Sequence, residues 1–246
     1  MQILASKFIY SKDKENLKEI LLPFKDIPIQ LAFFQRKDFL EAEHDLIKGI
    51  CKTLNIEIPT VHAPITDVFD PDFLKVIESI KRIYQAKVIS IHPQRGEIEP
   101  ALAKLKEYCP VIKSLDVILA YENFGSSVAK RKWISSPRQM YLKFDLPFLK
   151  ITFDTSHLDS LSDCIEEFDR VFDKVEVIHL SDKDPKRQHL PLGEGLLPYR
   201  EFLNHLKEKE FRGFLILEYL DEFQDRLIED FKKVSGFFFK TRLCIE

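Results

Sequence analysis

Short apolar runs alternate with longer amphipathic runs along the chain. The apolar runs predict strands at Ile3–Ala5, Ile29–Ala32, Ile58–His62, Val88–His92, Val117–Glu122, Ile151–Asp154, Val175–Leu180 and Phe214–Glu218. The amphipathic runs predict helices at Lys14–Leu22, Asp38–Leu54, Asp72–Gln85, Pro100–Tyr108, Leu161–Phe172, Tyr199–Lys207 and from about Asp221. Strands that alternate with helices indicate a parallel sheet, and eight of them favour a closed (β/α)8 barrel, the TIM barrel.

An open, doubly wound sheet is the main alternative fold. No GxGxxG motif follows the first predicted strand, so the sequence does not indicate the dinucleotide-binding version of that sheet. The length of 246 residues is typical of one barrel, and we predict a single domain over residues 1–246.

Composition narrows the class of protein. The net charge of −3 gives no overall basic excess of the kind that indicates nucleic-acid binding. No apolar run is long enough to span a membrane, and the apolar N-terminal run is too short for a signal peptide. The four cysteines are far apart, which is typical of reduced thiols. We therefore predict a cytoplasmic protein without a membrane partner, and the oligomeric state stays open.

Six consecutive predicted strands end on a residue type that binds metals. These residues are His62, His92, Glu122, Asp154, His179 and Glu218. The carboxyl ends of all strands in such a barrel meet at one mouth, where barrel enzymes keep their active sites. The sequence therefore predicts a ring of six polar side chains at that mouth.

The alternation of side chains along each strand supports this ring. The residues two positions earlier share the face of the ring residues and are small or β-branched, as a barrel interior requires: Thr60, Ser90, Ala120, Thr152, Val177 and Ile216. The residues in between should face the helices: Val61, Ile91, Tyr121, Phe153, Ile178 and Leu217. A single His or Glu at a strand end is usually only hydrogen-bonded, but six in register are not explained in that way.

Three histidines and three carboxylates at one mouth, with no matching Lys or Arg, need a cation. Imidazole with carboxylate suits Zn, Mn or Co, and the number of ions is predicted at one to three. Two loop histidines join the set, because His157 follows Asp154 in DTSH and His189 lies in the charged segment that ends in GEG. A solvated loop histidine is the alternative interpretation of His189.

The motifs VHAP, IHP, YENFG, DTSH, HLSDKD…HLPLGEG and LILEY, read in this order from about residue 58 to 220, resemble the xylose isomerase-like barrel superfamily, which includes sugar isomerases, epimerases and endonuclease IV. In its isomerases and epimerases a divalent metal is held by Glu, Asp, His and Glu. The resemblance carries these roles to Glu122, Asp154, His179 and Glu218. It also implies that Glu122 and Glu218 are catalytic, moving a proton through an enediolate.

Endonuclease IV, the zinc nuclease of this superfamily, holds three ions with a larger set of ligands. The resemblance to it carries ligand roles to eight residues: His62, His92, Glu122, Asp154, His157, His179, His189 and Glu218. This sequence departs from the nuclease's ligand set at one position, where Arg187 replaces an aspartate ligand. The aromatic residue that follows the nuclease's first ligand histidine is also missing, since Ala63, Pro64 and Ile65 follow His62.

Three functions therefore stay open. The first is a sugar or sugar-phosphate isomerase or epimerase, in which Arg187, His157 and His189 bind the small-molecule substrate. The second is an endonuclease IV-like phosphodiesterase that cleaves abasic DNA with two or three metals. The third is a barrel that only binds a metal-chelating small molecule.

Overall fold

The computed structural model describes residues 1–92, 98–123 and 145–239. Eight parallel strands close into a barrel in the order in which they occur in the chain. They are β1 (Gln2–Phe8), β2 (Ile29–Ala32), β3 (Thr60–His62), β4 (Val88–Ile91), β5 (Ile118–Glu122), β6 (Leu149–Asp154), β7 (Val175–Leu180) and β8 (Phe214–Leu217). The predicted (β/α)8 fold is thus confirmed, and each predicted strand has a counterpart within a few residues.

The helices lie between the strands, on the outside of the barrel. In the described part of the chain they are α1 (Leu17–Leu21), α2 (Arg36–Leu40), α3 (His44–Thr53), α4 (Phe73–Tyr84), α5 (Ile98–Ser114), α6 (Cys164–Asp169), α7 (Tyr199–Glu208) and α8 (Gln224–Phe239). Among these residues, no helix combines the length and apolar character needed to cross a bilayer.

Several helices differ from the sequence prediction. The helix predicted over Leu161–Phe172 is confined to Cys164–Asp169, and the one predicted over Lys14–Leu22 is α-helical over Leu17–Leu21. The predicted helix over Asp38–Leu54 is two helices, α2 and α3, because α2 is a separate short turn. The Asp38 carboxylate anchors that turn by accepting the backbone N–H groups of Gln35 and Ser11, each at 2.9 Å. The predicted helix over Pro100–Tyr108 is longer and continues through Pro110 to Ser114.

Two apolar layers lie on opposite faces of the barrel strands. Leu4, Val88, Ala120, Val177 and Ile216 pack together inside the barrel. The residues predicted to face the helices all belong to the main core outside the strands: Val61, Ile91, Tyr121, Phe153, Ile178 and Leu217. The predicted alternation of faces is therefore confirmed, and it directs the last inward side chain of β3 to β8 toward the mouth.

Candidate metal centre

The carboxyl ends of β3 to β8 bring the six predicted ring residues together. His62, Glu122 and Asp154 end their strands, His179 is the last residue but one of β7, and His92 and Glu218 directly follow β4 and β8. All six are buried, and the strand register pairs Asp154 with His179. The sequence thus predicted the ring correctly as a set of neighbouring side chains.

The tightest group contains Glu122, Asp154, His179 and Glu218. The His179 Nδ1 atom lies 2.8 Å from Glu122 Oε1, 2.7 Å from Glu218 Oε2 and 3.7 Å from Asp154 Oδ2. One candidate ligand atom from each of the four residues lies within 4.8 Å of the other three. We refer to these four residues as the central group.

Two carboxylate oxygens of the central group show that it suits a cation. Asp154 Oδ2 and Glu218 Oε2 are buried and accept no hydrogen bond from the described residues. Glu218 Oε2 is close to His179 Nδ1, but the contact lacks hydrogen-bond geometry, since it is present only as an ion pair. Buried carboxylate oxygens without donors are costly. A divalent ion between them would remove that cost, and the donor set of three carboxylates and one imidazole suits Zn, Mn or Co.

A second group of candidate metal ligands, His62 and His92 with Glu122, shares Glu122 with the central group. The His62 Nε2 atom lies 3.3 Å from Glu122 Oε2, and the His92 Nε2 atom lies 3.9 Å from the same oxygen. The two imidazole rings are 4.5 Å apart. Burial, together with the neighbouring His62, lowers the pKa of His92 to about 3. His92 is therefore neutral, which is the form that binds metals.

A third group of candidate metal ligands, His157 and His189 with Asp154, shares Asp154 with the central group. The two histidine rings meet edge to face, with centroids 5.1 Å apart. Asp154 Oδ1 accepts the N–H groups of Ser156 and His157 and the Ser156 hydroxyl, which leaves Oδ2 for an ion. His157 Nδ1 contacts the backbone oxygen of Asn123 at 2.9 Å. The eight predicted ligands thus form three groups linked by two shared carboxylates.

Protons compensate the carboxylates when no metal is bound. Burial alone would lower the pKa of His179, but Glu218, Asp154 and Glu122 raise it well above its ordinary range. Burial alone would raise the pKa of Glu122, but His62 and His179 lower it well below its ordinary range. A metal ion that replaces the proton on His179 therefore competes with protons for the central group.

Asn123 is a positioning residue that the sequence analysis missed. Its Oδ1 accepts the backbone N–H of Asp154 at 2.7 Å, and its Nδ2 donates to the backbone oxygen of Asp154 at 3.0 Å. The side chain thereby holds the end of β6 against the end of β5, and with it the carboxylate of Asp154. The motif YENFG contained this residue, but an asparagine after a strand usually belongs to a turn.

Asp182 organises the loop that carries His189. Its carboxylate is buried and accepts the backbone N–H groups of Lys183, Gly193, Gly195 and Leu197 at 2.8–3.1 Å. The backbone of Asp182 also pairs with Leu190, the residue after His189. His189 itself has a left-handed backbone with φ of 57°. The loop is therefore fixed from within and presents His189 to the third group.

We expect Gly195→Ala to destabilise this loop. A Cβ atom at Gly195 would lie 2.2 Å from the backbone oxygen of Lys183 and 2.4 Å from Asp182 Oδ1. Overpacking of this kind costs about 1–3 kcal/mol in unfolding free energy. The control is Gly49→Ala in α3, where a Cβ meets nothing within 4 Å and a gain of about 0.5–1 kcal/mol is expected. Equal effects of the two substitutions in urea unfolding would contradict this description of the loop.

Arg187 lies in the same loop, outside the three groups. Its guanidinium is about half exposed and lies 3.4 and 3.5 Å from Asp184 Oδ2. The predicted contact of Arg187 with a substrate stays a prediction, as do those of His157 and His189.

Comparison with known proteins identifies the family. The family model "Xylose isomerase-like TIM barrel" matches residues 24–233, whereas no curated protein matches the sequence. Solved structures that are similar include 3-keto-D-glucoside 4-epimerase YcjR from E. coli (TM-score 0.68, 15% identity, covering 96% of this chain and 99% of that chain). An AP endonuclease, family 2, from Brucella melitensis has a TM-score of 0.71 at 12% identity, covering 89% of this chain and 92% of that chain.

A third similar structure is the IOLI protein with a binding zinc atom, with a TM-score of 0.70 at 14% identity over 100% of both chains. At such identities the structural likeness shows the fold alone. The family model, in contrast, covers most of the chain, and the TIM barrel that it describes agrees with the closed barrel of the structure. This protein belongs to the xylose isomerase-like TIM barrel family.

Proposed function

We propose that this protein is a divalent-metal-dependent isomerase or epimerase of a sugar or sugar phosphate. The observation that carries the proposal is the central group, in which two glutamates, one aspartate and one histidine converge with two carboxylate oxygens lacking donors. The similar structures include epimerases of small sugars, one of them in complex with D-allulose. The same arrangement supports the proposed ligand roles of Glu122, Asp154, His179 and Glu218.

The mechanism assigns separate tasks to these residues. A bound divalent ion would polarise the substrate carbonyl and the hydroxyl on the adjacent carbon, and so acidify the C–H bond of that hydroxyl-bearing carbon. One of Glu122 and Glu218 takes the proton from that carbon as general base, and the other returns a proton as general acid. Asp154 and His179 would hold the ion together with the two glutamates. Burial of the group limits access of water to the reactive intermediate.

The test is turnover of a broad panel of ketoses, aldoses and their phosphates, with Mn, Co or Zn supplied. We expect at least one substrate to be isomerised or epimerised, with deuterium from D2O entering the product at the carbon that changes. Loss of turnover with a chelator, and its return with added metal, would complete the result. No turnover of any sugar with any of the three metals would overturn the proposal.

A second candidate function rests on the linkage of the three groups. Glu122 and Asp154 each belong to two groups, so two or three ions would lie next to one another. Adjacent ions suit the hydrolysis of phosphodiesters, because they activate water and stabilise the leaving oxygen. This favours an endonuclease IV-like enzyme that cleaves abasic DNA as the alternative.

The double variant His62→Ala, His92→Ala separates the two functions. If the enzyme is an isomerase, we expect one tightly bound ion per chain and sugar turnover within about tenfold of wild type. Both histidines approach Glu122 Oε2, but neither belongs to the central group that would hold the ion. A hydrolase would instead lose one ion and its cleavage of an abasic duplex. His205→Ala on α7 is the matched control, since that histidine binds Asp169 far from the ring.

A further inference from the structure

A large cleft opens beside the third group on the carboxyl-end face of the barrel. It lies between residues 159–162, which follow β6, and residues 183–188, which follow β7, and its volume is about 1170 Å³. Small-molecule sites span roughly 300–1,000 Å³, so this cleft has room for a ligand of sugar size. We call it the basic cleft, because Lys183, Lys186 and Arg187 all line it.

The basic cleft adjoins the candidate metal centre through a short chain of contacts. Gln188, a lining residue, donates from Nε2 to the backbone oxygen of Ser156 at 3.3 Å. Ser156 in turn donates from its N–H and hydroxyl to Asp154 Oδ1. His189, in the third group, directly follows Gln188 in the chain. The basic cleft and the third group therefore share one stretch of the loop after β7, in which Gln188 lines the cleft and His189 belongs to the group.

Lys183 connects the two regions electrostatically. Burial lowers the pKa of the Lys183 ammonium, and the negative charges of Asp159 and Asp154 oppose that shift. Its Nζ donates to the backbone carbonyl of Leu158. The backbone of Lys183 is held by Asp182, so the base of the side chain is fixed.

The other cations of the cleft are held loosely. The Arg187 guanidinium contacts Asp184 at 3.4 and 3.5 Å, the long end of the hydrogen-bond range, and is about half exposed. Surface ion pairs of this kind contribute little to stability, so the guanidinium can turn to a better anion at small cost. Lys186 is exposed. Asp159 and Asp184 also line the cleft, so its three cations exceed its carboxylates by one.

We propose that the basic cleft binds the phosphoryl group of the substrate, through Lys183, Lys186 and Arg187. The Ser160 hydroxyl, which now contacts the Ser162 hydroxyl at 2.7 Å, is a further donor at the same cleft. A guanidinium forks onto phosphate oxygens, and ammonium groups add charge-assisted bonds. This inference rests on the proposed function and narrows its substrate class to sugar phosphates.

Inorganic phosphate is the first probe, titrated calorimetrically into the metal-loaded protein at constant ionic strength. We expect Lys183→Met and Arg187→Met each to weaken phosphate binding about tenfold, a loss typical of one charge-assisted contact. Lys48→Met, an exposed lysine on α3, should leave the affinity within about twofold.

Two outcomes would overturn the proposal. One is the absence of phosphate binding to the wild type at millimolar concentrations. The other is binding that is lost in Glu122→Gln and kept in Lys183→Met and Arg187→Met, since phosphate would then sit on the metal centre.

A second, kinetic experiment compares the KM for a sugar with the KM for its phosphate ester. We expect Lys183→Met to raise KM about tenfold for the ester and to leave KM for the free sugar unchanged. Equal changes for both would contradict a phosphoryl site. If no sugar or sugar phosphate is turned over but phosphate binding follows the expected pattern, the isomerase proposal fails while the phosphate site stands.

Discussion

Glu122→Gln is expected to reduce turnover by about 10²–10⁴-fold and to lower the bound metal content. Glu122 joins the central group to His62 and His92, since its Oε1 faces His179 and its Oε2 faces His62. Glutamine keeps the size of the side chain but removes the negative charge and one acceptor oxygen. The substitution therefore removes a metal ligand and a proposed proton carrier together.

Metal content by mass spectrometry and steady-state turnover measure the effect of Glu122→Gln. Glu107→Gln is the matched control, because Glu107 is exposed on α5 and pairs with the neighbouring Lys104. A thermal unfolding curve shows whether each variant is folded. A folded Glu122→Gln protein with wild-type metal content and turnover would contradict both proposed roles of this residue.

Asn123→Leu is expected to weaken metal binding by about 10–100-fold, as substitutions behind a ligand generally do. Leucine has a similar size but can neither accept the N–H of Asp154 nor donate to its backbone oxygen. Both groups are buried, and leaving them unsatisfied costs about 2–4 kcal/mol in unfolding free energy. The contact with His157 uses the backbone oxygen of residue 123, so the third group should change less.

Metal titration and urea unfolding of Asn123→Leu together show whether Asn123 positions Asp154 for the metal or only stabilises the fold. Asn204→Leu, on the exposed face of α7, is the control and should change neither quantity appreciably. A loss of stability with unchanged metal affinity would show that Asn123 supports the fold but does not position Asp154.

The sequence was sufficient to predict the barrel and its ring because both follow from short-range rules. Alternation along a strand places Thr60 and His62 on one face and Val61 on the other, and the observed packing agrees. Parallel strands put their carboxyl ends at one mouth. Neither rule needs knowledge of long-range contacts.

The parts that the sequence could not provide depend on contacts between distant residues. Asn123 is recognised only when β6 lies beside it, 31 positions away in the chain. The separation of α2 from α3 depends on Asp38 accepting the N–H of Ser11, which is 27 positions away. Similarly, the pattern of charges in the loop after β7 gives no sign that Asp182 binds the loop backbone while Arg187 turns to Asp184.

The proposed function depends most on the binding of a divalent ion by Glu122, Asp154, His179 and Glu218. The most direct test is a crystal structure of the metal-loaded protein with anomalous diffraction data collected at the absorption edge of the bound metal. We predict an anomalous peak within coordination distance of all four residues, about 2.0–2.2 Å for Zn. A metal-loaded crystal with no peak at these residues, or with its only peak elsewhere, would contradict the claim.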